Sequence, residues 1–175
     1  MKHFLRIIAT LLVCNFIPLA QAKRAPNLEF KDQAGHTHKV AELRGSIVVL
    51  NFWATWCGPC REELPMLSKL TQEYAPKKVR FIAASANESK DRAKVDQFAS
   101  SHNLPMEVWL GADLNMLDNA RLGNELPATM ILDDQGEVVT RILGEAREEE
   151  VRGALDWVLG GKTGPPPPPI TKHLQ

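Results

Sequence analysis

The chain has 175 residues, with 21 Lys and Arg against 21 Asp and Glu and a formal net charge of zero. That balance offers neither the basic stripe of a nucleic-acid binder nor an acidic tail, so no nucleic-acid partner is expected. With 44% hydrophobic residues, the length suits one domain with an adequate core.

Residues 1–22 read as a signal peptide. Lys2 and Arg6 give a basic start, residues 7–19 are mostly apolar, and Ala20-Gln21-Ala22 is a small-x-small cleavage site. The apolar run falls short of the ~20 residues a membrane helix wants, so cleavage after Ala22 is expected. Membrane contact is then confined to this segment, if it stays uncleaved. Val13 stands before Cys14 where a lipid-modified cysteine has a small residue. The expected location is periplasmic. Removal of the segment leaves Cys57 and Cys60 as the cysteines of the mature chain, in an oxidising compartment where another protein must maintain a working dithiol.

Residues 25–160 read as a single domain. Leu28-Glu29-Phe30 and Thr37-His38-Lys39-Val40, joined through Gln33-Ala34-Gly35-His36, predict a small hairpin. Residues 47–53 form a continuous apolar run, as in a central strand covered on both faces, and residues 79–84 repeat the pattern. Between them Leu64, Leu67, Leu70 and Tyr74 recur at helical spacing. Ser89 is the predicted N-cap of a helix whose apolar face is Val95, Phe98 and Ala99. A short strand at 107–110 and a short helix at 116–121 follow. Next comes a hairpin of 129–132 and 138–142 through Asp133-Asp134-Gln135-Gly136. The closing helix puts Val151, Ala154, Leu155, Val158 and Leu159 on one face, with Glu148, Glu149 and Glu150 toward its positive N-terminus. This order demands a mixed sheet with crossover helices on its faces. Residues 161–175 read as a Gly/Pro-rich disordered tail with a stiff polyproline stretch at 165–169.

Cys57-Gly58-Pro59-Cys60 stands where the first apolar strand meets the helix after it. The first helical turn has unpaired N–H groups and a partial positive charge, which favour a thiolate by up to about 2 kcal/mol when partly desolvated. From an ordinary thiol near about 8.5, this brings Cys57 toward neutrality, where the thiolate is populated and still nucleophilic. A zinc site would need a second ligand pair, and a covalent haem site a His where Arg61 stands, so neither metal nor cofactor is expected. An inert disulfide across so short a loop would constrain the unfolded chain little. The pattern reads as a dithiol/disulfide redox site. Pro59 falls in the first turn, where its missing N–H costs nothing, and Pro65 inside the helix predicts a kink. His36, His38 and His102 read as solvated or edge-packed, and Trp109 and Trp157 as packing residues.

The run Asn51-Phe52-Trp53-Ala54-Thr55-Trp56-Cys57-Gly58-Pro59-Cys60-Arg61-Glu62-Glu63-Leu64-Pro65 resembles the thioredoxin superfamily, in particular its exported TlpA/ResA-type thiol–disulfide oxidoreductases. Leu126-Pro127-Ala128-Thr129 resembles the family's second signature, a cis-proline loop facing the cysteines. The resemblance implies an α/β thioredoxin fold, a central mixed β-sheet flanked by helices, with an N-terminal hairpin extension and a central αβ insertion before Pro127. It implies that Cys57 attacks and Cys60 resolves, and that Pro127 completes the catalytic set. Trp56, Gly58, Pro59 and Leu126 are then the expected client-binding surface. Typical thioredoxins carry a buried aspartate where this chain has Asn51, which cannot ionise. Glu63, three residues after Cys60, is the replacement expected from the TlpA/ResA subgroup. The implied partners are protein disulfide or dithiol clients and a membrane thiol reductant as electron donor. The implied direction is reducing, with cytochrome c maturation or a related assembly among the compatible roles. A disulfide-forming oxidant, and a non-catalytic chaperone or binding module for thiol clients, are the alternatives. A peroxide-reducing enzyme would need its cysteine in a different loop context.

Overall fold

The computed structural model describes residues 24–173, and the expected signal peptide lies outside them. The strands are β1 (Glu29–Asp32), β2 (Thr37–Lys39), β3 (Ile47–Trp53), β4 (Val79–Ser85), β5 (Glu107–Leu110), β6 (Ala128–Leu132), β7 (Val138–Leu143) and β8 (Ile170–Lys172). The helices are α1 (Gly58–Tyr74), α2 (Arg92–Ser101), α3 (Leu114–Asn119) and α4 (Glu148–Leu159). All strands join one sheet in the order β2-β1-β5-β4-β3-β6-β7-β8. β3 is buried along its whole length, parallel to β4 and antiparallel to β6. That is why its sequence is continuous rather than alternating: both faces are covered. The insertion between β4 and β6 supplies β5, which pairs parallel with β4 and antiparallel with β1 of the N-terminal hairpin.

The helical periodicities locate the buried faces. α1 buries Leu64, Leu67, Leu70 and Tyr74, and α4 buries Val151, Ala154, Leu155 and Val158. The two helices are tied at their flanks. The Tyr74 hydroxyl donates to Asp156 Oδ1 at 2.8 Å, Lys69 reaches Glu148, and Arg152 forks onto Glu73. α1 runs unbroken through Pro65, whose missing N–H leaves the carbonyl of Arg61 without its helical donor.

Two predicted helix starts are displaced. Ser89 is not an N-cap: it opens a 3₁₀ turn, Ser89–Asp91, in which the Asp91 N–H bonds to the Glu88 carbonyl at 2.8 Å before α2 begins. α3 begins at Leu114, ahead of the expected 116, because the Asp113 side chain accepts the Met116 N–H at 2.7 Å and caps the turn.

The disordered tail expected over 161–175 is corrected for the part the structure describes. β8 lies parallel to β7 at the sheet edge. The Arg141 N–H donates to the Pro169 carbonyl at 3.1 Å, the Thr140 hydroxyl to Pro168 at 2.6 Å, and the His173 N–H to Leu143 at 2.8 Å. Prolines cannot donate, but their carbonyls accept, and a polyproline stretch is already extended, so little entropy is lost when it docks on donors at an edge. His173 Nε2 also lies 3.0 Å from the Glu150 carboxylate.

The close approach of this strand requires Gly144, which has φ 88° and would place a Cβ 2.9 Å from the His173 carbonyl oxygen. Gly144→Ala is therefore expected to lower stability in urea unfolding by about 1 kcal/mol or more. In a chain shortened to end at Gly164 only the backbone cost persists, so the loss becomes smaller. An equal loss in both backgrounds would show that His173 does not set the constraint.

Candidate active site

β3 ends at Trp53, and a three-residue turn sets Cys57 as the N-cap of α1, with φ −83° and ψ 114°. The Cys57 N–H donates to the Ala54 carbonyl at 3.1 Å. The turn is also held from the end of β4. Asn87 Oδ1 accepts the Thr55 N–H at 2.9 Å, and its Nδ2 donates to Thr55 Oγ1 at 2.7 Å. Asn87 is 32 residues away from Thr55 and nothing in its local sequence marks it as a clamp. Cys57 and Cys60 are disulfide-bonded, and the Cys60 N–H points at Cys57 Sγ at 3.2 Å. Cys60 is fully enclosed, whereas Cys57 keeps 6% exposure. Gly58 and Pro59 are half-buried, and Trp56 is 66% exposed and so is no core aromatic.

The Leu126–Pro127 peptide bond is cis, and both residues are buried. Ala128 pairs with Phe52, so Pro127 falls beside the end of β3 from which the cysteine turn departs. The Pro127 carbonyl accepts the Gly144 N–H at 3.0 Å, linking this loop to the end of β7.

Glu63 lies one helical turn after Cys60 with only 2% exposure. Its Oε1 accepts from Asn51 Nδ2 at 2.6 Å, and its Oε2 accepts the Ala146 N–H at 2.8 Å. Asn51 Nδ2 also donates to Thr129 Oγ1 at 3.0 Å. Burial pushes the Glu63 carboxyl up to about 7, with the Glu145 charge adding to the rise and the donors on Ala146 and Asn51 opposing it. Asn51 stands out in the sequence only as a departure. Its role as a donor, that of the Thr129 hydroxyl as its acceptor and that of the Ala146 N–H as a second donor follow from strand register and loop position. Beside the start of α1, Gly58, Arg61, Glu62, Phe98 and His102 line a groove, with the His102 ring stacked 4.0 Å from Phe98. His38 is edge-packed, stacked on buried Trp109 and hydrogen-bonded to Asp32 at 3.0 Å.

A strand-delivered Cys-x-x-Cys disulfide at a helix start, next to a cis-proline loop, defines a thioredoxin-like thiol–disulfide oxidoreductase. Residues 22–141 match the model of the AhpC/TSA family, and the chain belongs to that family. It is 34% identical over 136 residues to a thiol-disulfide oxidoreductase ResA of Bacillus cereus, covering 78% of this chain and 77% of that protein. It is 32% identical over 149 residues to the thioredoxin-like protein YneN of Bacillus subtilis, covering 80% and 81%. The fold is similar to that of a thiol:disulfide interchange protein of the thioredoxin family from Chlorobium tepidum TLS. That match has a TM-score of 0.66 and 23% identity, covering 79% of this chain and 97% of that one. Among the described residues no helix is long and apolar enough to cross a membrane.

The Glu63 carboxyl makes stability depend on pH. A raised folded value means its contribution is complete below about 4.5 and is lost as pH rises through about 7. The span corresponds to about 3 kcal/mol. Denaturant unfolding of the oxidised protein should show wild type losing stability relative to Glu63→Gln between about pH 5 and about pH 8. A difference constant across that range would mean the buried carboxyl does not titrate in it.

Proposed function

We propose that this oxidoreductase acts in the reducing direction on disulfides of exported proteins, in the periplasm, with cytochrome c maturation or a related assembly as its setting. The observation that carries the reading is the unequal enclosure of the two sulfurs. Cys57 is at the rim, and Cys60 is sealed in with a buried carboxyl one turn along. The Cys57 thiolate attacks a client disulfide, one client sulfur leaves as thiolate, and a mixed disulfide forms. Cys60 then displaces the second client sulfur and closes the Cys57–Cys60 bond, so two electrons pass from the pair to the client. Glu63 takes the Cys60 proton as that thiol becomes the attacking group. Trp56, Gly58 and Pro59 offer the client an apolar surface, and the segment at Leu126 and Pro127 holds its extended backbone. A membrane thiol reductant restores the dithiol. Cys-Gly-Pro-Cys, the likeness to ResA and the apolar N-terminal run support the direction and the compartment.

Cys60→Ser should trap clients as mixed disulfides through Cys57, and Cys57→Ser should trap none. The reduction potential of the wild-type pair should fall near or below about −250 mV. A value near about −120 mV would reverse the direction and make the protein an oxidant. Client binding that survives loss of both cysteines would favour the binding-module alternative. Glu63→Gln should slow exchange at neutral pH on the order of a hundredfold with the fold intact. Unchanged kinetics across the pH range would remove Glu63 from the mechanism.

A further inference from the structure

Glu63 sits in a set of hydrogen bonds with one mismatch. Oε2 accepts the Ala146 N–H at 2.8 Å, and Oε1 faces the Asn51 amide nitrogen at 2.6 Å. That nitrogen spends its second hydrogen on Thr129 Oγ1 at 3.0 Å, while Asn51 Oδ1 is buried without a hydrogen-bond partner. An amide with both donors engaged and its acceptor idle is the partner an ionised carboxylate requires.

A proton on Glu63 must sit on Oε1, because Oε2 already accepts from a backbone N–H that cannot turn away. With the amide as it stands, the new O–H would then confront an NH2 group, donor against donor. A half-turn of the Asn51 amide brings Oδ1 to the same place, where 2.6 Å suits an O–H···O bond. The Thr129 hydroxyl can reverse its sense and donate to the same oxygen. The half-turn moves the NH2 group to where the unpaired carbonyl lay, leaving donors without partners in a buried site. The ionised state orphans one buried acceptor, the Asn51 Oδ1, whereas the protonated state orphans the two hydrogens of a buried NH2 group and so carries the larger cost.

We propose that Asn51 is a positioning residue for Glu63: its amide turns as Glu63 gains or loses its proton, and it holds Glu63's affinity for that proton down against burial. This deepens the assignment of Glu63 as the proton carrier for Cys60 and rests on it. Thr129, two residues past Pro127, joins the same exchange to the cis-proline strand. The groups around Glu63 are few. On α1, Cys60 lies one turn earlier and Arg61 and Glu62 are exposed. After β7, Glu145 and Arg147 are exposed, and Glu145 acts on Glu63 by raising it. β3 and β6 contribute the uncharged Asn51 and Thr129.

The test is an NMR titration of the oxidised protein together with the pH profile of thiol exchange. In wild type the Glu63 carboxyl carbon and the Asn51 side-chain amide signals should titrate with one midpoint. In Asn51→Leu the Glu63 midpoint and the matching kinetic inflection should rise by about one pH unit, the size expected for a lost hydrogen bond to a buried carboxylate. Asn51→Ala should move both in the same direction, and it serves if leucine disturbs folding. Asn51 amide signals that stay flat through the Glu63 transition overturn the proposal. An inflection that vanishes in Glu63→Gln but stays in place in both Asn51 variants overturns it alone. An inflection that persists in Glu63→Gln instead removes the parent assignment.

Discussion

One buried carboxyl group, held by two N–H donors and no cation, organises the centre of this molecule. Glu63 reaches Asn51 on β3 and the Ala146 backbone after β7, and Asn51 in turn reaches Thr129 on β6. These contacts join α1, two adjacent strands of the sheet and the loop leading to α4, so the carboxyl is both a structural junction and a titrating group. Amide N–H dipoles rather than a lysine or arginine oppose the desolvation cost, which leaves the proton poised near neutrality instead of tightly expelled. A paired cation would have stabilised the fold more simply and left nothing to titrate at working pH.

The same enclosure explains the asymmetry of the sulfurs. β3 ends buried at Trp53, the turn after it brings out Trp56 and leaves Cys57 slightly exposed, and Cys60 in the first turn of α1 is fully enclosed, one turn before Glu63. The Asn87 clamp on Thr55 fixes where the chain leaves the sheet, and the N-cap geometry of Cys57 fixes where the helix begins. On the other side, the end of β7 serves two neighbours at once. Leu143 accepts from His173 of the terminal strand, and Gly144 donates to Pro127. The terminal strand thus abuts the residues that carry the cis-proline loop, and it bears on the site through two backbone hydrogen bonds.

Local patterns of the sequence carried most of the scaffold. The apolar run of β3 and the i, i+3 and i+4 spacing in α1 and α4 are statements about burial, which depends on residue type and period. Cys57 and Cys60 were legible because their chemistry and their place at a helix start lie within one short segment. Pro127 needed a family likeness, since nothing in its neighbours dictates a cis bond. The contact of Asn51 with Thr129 spans 78 residues and exists only because β3 and β6 pair in one particular register. Ser89 misled because cap propensity is a weak preference, and the ion pair of Lys90 with Glu88 accompanies a tighter turn there. The proline run misled in another way: composition counts its missing donors and overlooks its free acceptors.

The choice of asparagine at position 51 is itself an electrostatic argument. An aspartate there would put two carboxylates 2.6 Å apart in a buried site, and like charges so close cannot both ionise. They would share a proton and titrate as a coupled pair, one step low and one step high, rather than as a single group. An amide keeps a single titrating group and still offers it either a donor or an acceptor by turning over. Asparagine therefore fits the role proposed for Glu63, which would handle one proton per exchange.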